Sequence, residues 1–210
     1  MIVYSANFGD KDKLKEPEIN SSWSKDLKFV YFTDQEFESP TWNIIVENTA
    51  VDTVRKARWY KMHSHELFPG ELTLWVDANL IVQKDPTELI GDYSLFTQEH
   101  PYRFCLYEEA DYCIRKKRGN REDIERQVEY YKKQHYPECY GLYTTRILLR
   151  QSTEKVKLLN KQWWEHIVMF STRDQISLPY VLWKYGIRYD TLSQEELKVY
   201  FYKRGGHKWR

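Results

Sequence analysis

The stretch Leu72-Thr-Leu-Trp-Val-Asp77-Ala78-Asn79-Leu-Ile-Val is the most chemically suggestive in the chain. An apolar run delivers an aspartate and an asparagine, with one residue between them, onto a turn, and the chain then becomes apolar again. In open α/β sheets, ligands bind outside the carboxyl ends of the strands. Oxygen donors at such a place suit a hard divalent cation, Mn²⁺ or Mg²⁺, completed by substrate phosphates and water. The plainer alternative is an Asx turn, in which Asp77 only caps backbone amides.

Three further groups could share a site with that turn. Ser5-Ala6-Asn7-Phe8-Gly9-Asp10 offers small side chains where a flat base could approach the backbone, and Asp34, after Thr33, could accept from a base N–H. In Val54–Lys61, Arg55 and Trp59 share a helix face with Arg58 beside them, and guanidinium groups there could clamp a diphosphate. An exposed amphipathic helix is the alternative for these arginines. Asp174 and Gln175 open a later helix, where a carboxylate can simply favour the dipole. The pair also suits sugar hydroxyls, each of which is donor and acceptor together.

Elements must hold these groups. Ile2–Ala6, Leu27–Thr33, Trp42–Glu47, Leu72–Val76, Leu80–Val82, Gly141–Arg150 and Arg188–Leu192 read as strands. Asp52 caps a predicted helix through Leu67, and Asp85-Pro86 a short turn of helix through Leu89. Arg115 to Lys133 is rich in charge and helix formers, with residues 116–120 as an exposed turn. Ser152 caps a helix through about Ile167, and Ser171 or Thr172 one over Asp174 to Tyr185. From about residue 197 a basic tail is expected, with Lys198, Lys203, Arg204, His207, Lys208 and Arg210. Strands alternating with helices predict one α/β domain over 1–210, with helices flanking a mixed, mostly parallel central sheet.

Composition narrows the function. The 32 basic and 31 acidic residues leave a net charge of +1, which argues against a general nucleic-acid binder. No apolar run exceeds four residues, so neither a membrane span nor a secretory signal is expected. Cys105, Cys113 and Cys139 lack a C-x-x-C and fit reduced, structural thiols of a cytoplasmic protein. The 17 tyrosines, 8 tryptophans and 9 phenylalanines fit an aromatic core, while leaving carbohydrate or nucleotide stacking open.

The order of motifs resembles a known family. Ser-Ala-Asn-Phe-Gly-Asp10, Thr33-Asp34, Arg55-Lys-Ala-Arg58 and Trp-Val-Asp77-Ala-Asn79 are followed by Cys-Leu-Tyr-Glu108-Glu109-Ala, Gly141-Leu-Tyr-Thr-Thr, Trp163-Trp164-Glu165 and Arg173-Asp174-Gln175. Over roughly Ile2 to Leu192 this is similar to the glycosyltransferase-like family of plants, bacteria and large DNA viruses once catalogued as a domain of unknown function. Within it, the chain is similar to a domain encoded by chlorella viruses. The resemblance implies the GT-A fold, a nucleotide-sugar donor such as a UDP-sugar, a glycan acceptor, and Mn²⁺ or Mg²⁺ at a D-x-D-type turn. Asp77 matches the first acid of that turn, and Asn79 departs from the last. His207 could add an imidazole ligand, as in similar enzymes. Asp174-Gln175 is similar to the Asp-Gln pair on the sugar side of several retaining enzymes.

The expected reaction is therefore metal-dependent transfer of a hexose or deoxyhexose, with retention favoured. An inverting reaction would need a base, for which Glu108, Glu109, Asp111 or His100 could serve, although Glu108 and Glu109 read as surface acids. A sugar-1-phosphate nucleotidyltransferase would want a glycine-rich phosphate loop, where only Gly9 stands. A non-catalytic nucleotide-sugar or glycan-binding module is the other alternative.

Overall fold

A computed structural model describes residues 1–9, 11–47, 52–91 and 94–203. Nine strands are described: β1 (Ile2–Asn7), β2 (Lys28–Thr33), β3 (Asn43–Val46), β4 (Thr73–Val76), β5 (Leu80–Val82), β6 (Leu95–Glu99), β7 (Tyr143–Arg150), β8 (Asp190–Leu192) and β9 (Phe201–Lys203). Seven form one sheet in the order β3-β2-β1-β4-β7-β6-β8, and β5 pairs with β9 in a separate ribbon. Four of the six pairings in the large sheet are parallel, and β7 is antiparallel to both its neighbours. The α/β expectation holds. Every residue of β1 and β4 is buried, the signature of parallel strands covered on both faces.

The helices are α1 (Thr53–Met62), α2 (Ser64–Leu67), α3 (Leu106–Arg115), α4 (Arg121–Lys133), α5 (Glu154–Met169), α6 (Asp174–Lys184) and α7 (Gln194–Tyr200), with a 3₁₀ turn at Pro86–Leu89. Asp52 caps α1 as expected, accepting from the amides of Val54 and Arg55 at 3.0 and 3.1 Å. The helix does not run unbroken to Leu67. It breaks at His63, whose Nδ1 lies 2.7 Å from the Trp59 carbonyl and whose ring stacks on Trp59. Thr153, not Ser152, caps α5, and α6 begins after Arg173 with no side-chain cap from Ser171 or Thr172.

Two other expectations are corrected. Residues 197–203 are not tail: α7 ends there and β9 follows, with Leu197 and Phe201 buried. Cys105 and Cys113 are buried, but Cys139 is exposed. The aromatic load is chiefly core, as in the stacked Tyr131–Tyr180 pair with centroids 4.0 Å apart. Among the described residues, no helix is long and apolar enough to cross a membrane.

Candidate active site

The parallel strands β1 and β4 end side by side, and between their carboxyl ends and α6 lies a cleft of about 340 Å³. Of the predicted residues, Ala6, Asn7 and Phe8 line it from the end of β1, and Arg58 from α1. Asp77 and Ala78 line it from the turn after β4, and Asp174 and Gln175 from the start of α6.

Asp77 does not behave as an Asx cap. Its Oδ1 accepts from Trp75 Nε1 at 2.8 Å and lies 3.2 Å from Lys61 Nζ. The turn itself is closed by the backbone, with the Leu80 amide donating to the Asp77 carbonyl at 2.9 Å. Asp174 likewise is more than a helix-end charge. Its Oδ2 accepts from Lys61 Nζ at 2.8 Å and Thr145 Oγ1 at 2.7 Å, and Arg58 Nε stands 3.3 Å away. Burial alone would raise its pKa, but the Arg58 and Lys61 charges, with Arg173, hold it well below the usual carboxylate range. Lys61 has no exposed side-chain surface and ties the two carboxylates together.

The remaining predicted residues lie elsewhere. Asp34 accepts the Gly9 amide with both oxygens, at 3.1 and 2.9 Å, so it fixes the turn after β1 rather than lining the cleft. Gly9 adopts φ +73°, the left-handed region that favours glycine. Ser5 is buried within β1, and Arg55 pairs with Asp52 at 3.6 Å on the exposed side of α1. Asn79 is buried, 5% exposed, and does not line the cleft. His207 lies outside the described residues.

Several cleft residues escaped the sequence reading. Arg118 lines the cleft from the turn between α3 and α4, which was expected to be solvated throughout. Arg173 packs over Gly119, where a Cβ would come within 3.3 Å of its Cγ. Arg146 is held by Gln98 Oε1 at 3.0 Å. Glu109 is no surface acid. It is 1% exposed and pairs with Arg103 Nε at 2.6 Å, with Arg173 Nη2 at 3.9 Å.

Among the described residues the lining is cationic on balance: Lys11, Arg58, Arg118, Arg146 and Arg173 against Asp12, Asp77 and Asp174. Such a cleft favours a polyanion such as a diphosphate. Among the described residues, no group of three or more His, Cys, Asp or Glu could hold a metal ion. With Asp77 Oδ1 already engaged and Asn79 off the cleft, the donor set does not fit a cation held by protein alone. It fits one that arrives with phosphate oxygens, the usual mode for Mg²⁺.

A mostly parallel α/β sheet with a cleft at its strand ends defines an α/β protein of the kind that binds ligands outside the carboxyl ends of its strands. The family model of the TOD1/MUCI70 glycosyltransferase-like domain matches residues 1–204, and the chain belongs to that family. It is also 24% identical over 209 residues to the probable hexosyltransferase MUCI70 of Arabidopsis thaliana, covering 84% of this chain and 36% of that protein. The chain thus spans little more than a third of that relative's length.

Proposed function

We propose that the chain transfers a hexose or deoxyhexose from a nucleoside-diphosphate sugar, a UDP-sugar in the first instance, to a glycan hydroxyl. One observation supports this above the rest: Asp77 and Asp174 face one cationic cleft and are joined through a single buried ammonium. On this reading Asn7 and Phe8 lie on the nucleotide side and Arg58 meets the diphosphate. Asp77 would hold Mn²⁺ or Mg²⁺, which would supply positive charge against the leaving diphosphate. Gln175 and Asp174 face the sugar.

Retention is the favoured course. Asp174 is held ionised by the Arg58 and Lys61 charges, with Thr145 donating to the same oxygen as Lys61, and is therefore a poor proton acceptor. Glu108, Glu109, Asp111 and His100 do not line the cleft. In the proposed step the bond between the anomeric carbon and the phosphate oxygen breaks, and the acceptor oxygen bonds to that carbon from the same face. The acceptor proton passes to the departing phosphate oxygen. Calorimetry tests the donor side. UDP is expected to bind with Mn²⁺ present and far more weakly in EDTA; equal affinity in both would remove the metal from the proposal.

A further inference from the structure

A second cavity, about 500 Å³, lies next to the cleft and has no part in the reading above. Two elements run from one to the other. On β7, Thr145 lines the cleft and Tyr143 lines the second cavity, two residues apart and therefore on one strand face. On α6, Gln175 lines the cleft, while Pro179 and Leu182, at the i+4 and i+7 positions of the same helix face, line the second cavity. The step is about 7 Å along the strand and about 6 Å along the helix, comparable to the passage from one sugar ring to the next.

The chemistry of this groove differs from that of the cleft. Among the described residues Arg188 is the single charged one that lines it, beside the rings of Tyr140, Tyr143, Trp183 and Tyr189. Tyr140 is 56% exposed although it is a large ring, and Trp183 and Tyr189 are half-buried. These rings are braced from behind. Buried Tyr136 meets Tyr140 edge-on at 6.2 Å and Trp183 edge-on at 5.3 Å, and Tyr143 meets Tyr189 edge-on at 4.9 Å. The hydroxyls of Tyr143 and Tyr189 hydrogen-bond to each other. Gly141, at φ +95°, leaves room for the Tyr143 hydroxyl, because a Cβ there would lie 2.5 Å from it.

Fixed aromatic faces rimmed by hydroxyls match a sugar, which presents an apolar C–H face and a polar hydroxyl edge. A polyanion would find one guanidinium, and an acyl chain would have to bury against phenol oxygens. We infer that this groove binds a neutral glycan segment, the units of the acceptor that precede the hydroxyl presented to the cleft. The acceptor role rests on the transferase reading; the glycan binding does not.

Saturation-transfer NMR on the full chain tests this with three neutral probes: maltohexaose, cellohexaose and xylohexaose. At least one is expected to bind, with UDP present or absent. Tyr140→Ala and Arg188→Ala alter exposed groups and should fold; Tyr140→Ala is expected to weaken the probe about tenfold, the loss of one aromatic contact. Trp183→Ala should do at least as much, and Asp77→Ala should leave glycan binding unchanged. UDP calorimetry on the same samples separates the two readings. Glycan binding without UDP binding upholds the groove and removes the transferase proposal. UDP binding with no signal from any probe overturns the groove. So does a signal that survives Tyr140→Ala and Trp183→Ala together, or a shift from dimer to monomer in sedimentation of the Tyr140→Ala variant, which would make the groove a contact between copies.

Discussion

Arg58 and Lys61 stand three residues apart on α1 and reach the same oxygen of Asp174 from different surroundings. Lys61 is fully buried, so Lys61→Met leaves Asp174 with a weakened partner set in a dry site. A loss of about 3–5 kcal/mol of stability is expected by urea denaturation, with partial recovery in Lys61→Arg. Arg58 is 20% exposed and faces the cleft, so Arg58→Ala should fold. It is expected to weaken UDP by about 1.5–3 kcal/mol while sparing uridine. The two aspartates should also fail differently. Asp77→Ala should abolish Mn²⁺-dependent UDP binding and transfer together. Asp174→Ala should still bind UDP, yet transfer and donor hydrolysis should fall ~100-fold, the equivalent of about 3 kcal/mol in the barrier. Wild-type turnover in Asp174→Ala would reduce that residue to a structural role. Asp77 was legible because it ends an apolar run, and Asp174 because it opens a helix beside Gln175. Lys61 was not, because its place depends on the packing of α1 against the β4 turn and α6. Thr145 and Arg146 were not, because theirs depend on the antiparallel register of β4 with β7. Local patterns encode neither.

Among the elements, α7 carries a clear start signal in its sequence. Ser193-Gln-Glu-Glu196 is a capping box, with the Glu196 amide donating to Ser193 Oγ at 3.2 Å and the Ser193 amide to Glu196 Oε2 at 2.8 Å. Ser193→Ala is expected to cost about 1 kcal/mol, read as a shift in the urea midpoint. Because α7 leads directly into β9, amide exchange at Phe201–Lys203 should quicken in the same variant. β6 was illegible for another reason. Its Thr97 and Gln98 are polar yet buried, with Gln98 Oε1 accepting from Thr144 Oγ1 at 2.7 Å, so no apolar alternation marks the strand. By contrast, β1, β2 and β4 were found because apolar or nearly apolar runs ended in turn residues.

For the whole molecule, acid sensitivity follows from buried groups across the fold. His166 is pushed down to about 4 by burial among the α4–α6 aromatics. The unfolded chain takes up this proton first, near pH 6.5, so stability falls as pH drops from about 6.5 to about 4. His63, His65 and His100, also lowered by burial, act in the same direction. Asp174 acts in a lower range. Its stabilisation is complete above the usual carboxylate pKa of about 3.9 and is lost as pH falls below it. Urea midpoints taken against pH should show both regions. His166→Gln is expected to flatten the upper one by at most one proton and leave the lower one unchanged.

The short β5–β9 ribbon fixes where the last described strand ends relative to the first. Leu80 pairs with Lys203, so β9 ends three residues from Asp77, whereas Ile2 pairs with Lys28 and Thr73 at the far end of β1, about 17 Å from Asn7. The end of β9 therefore lies by the mouth of the cleft, and the start of β1 lies at the opposite end of the sheet. A bulky fusion partner attached at the end of β9 would compete for space with ligands entering the cleft. The same partner placed before the first strand would leave that approach open.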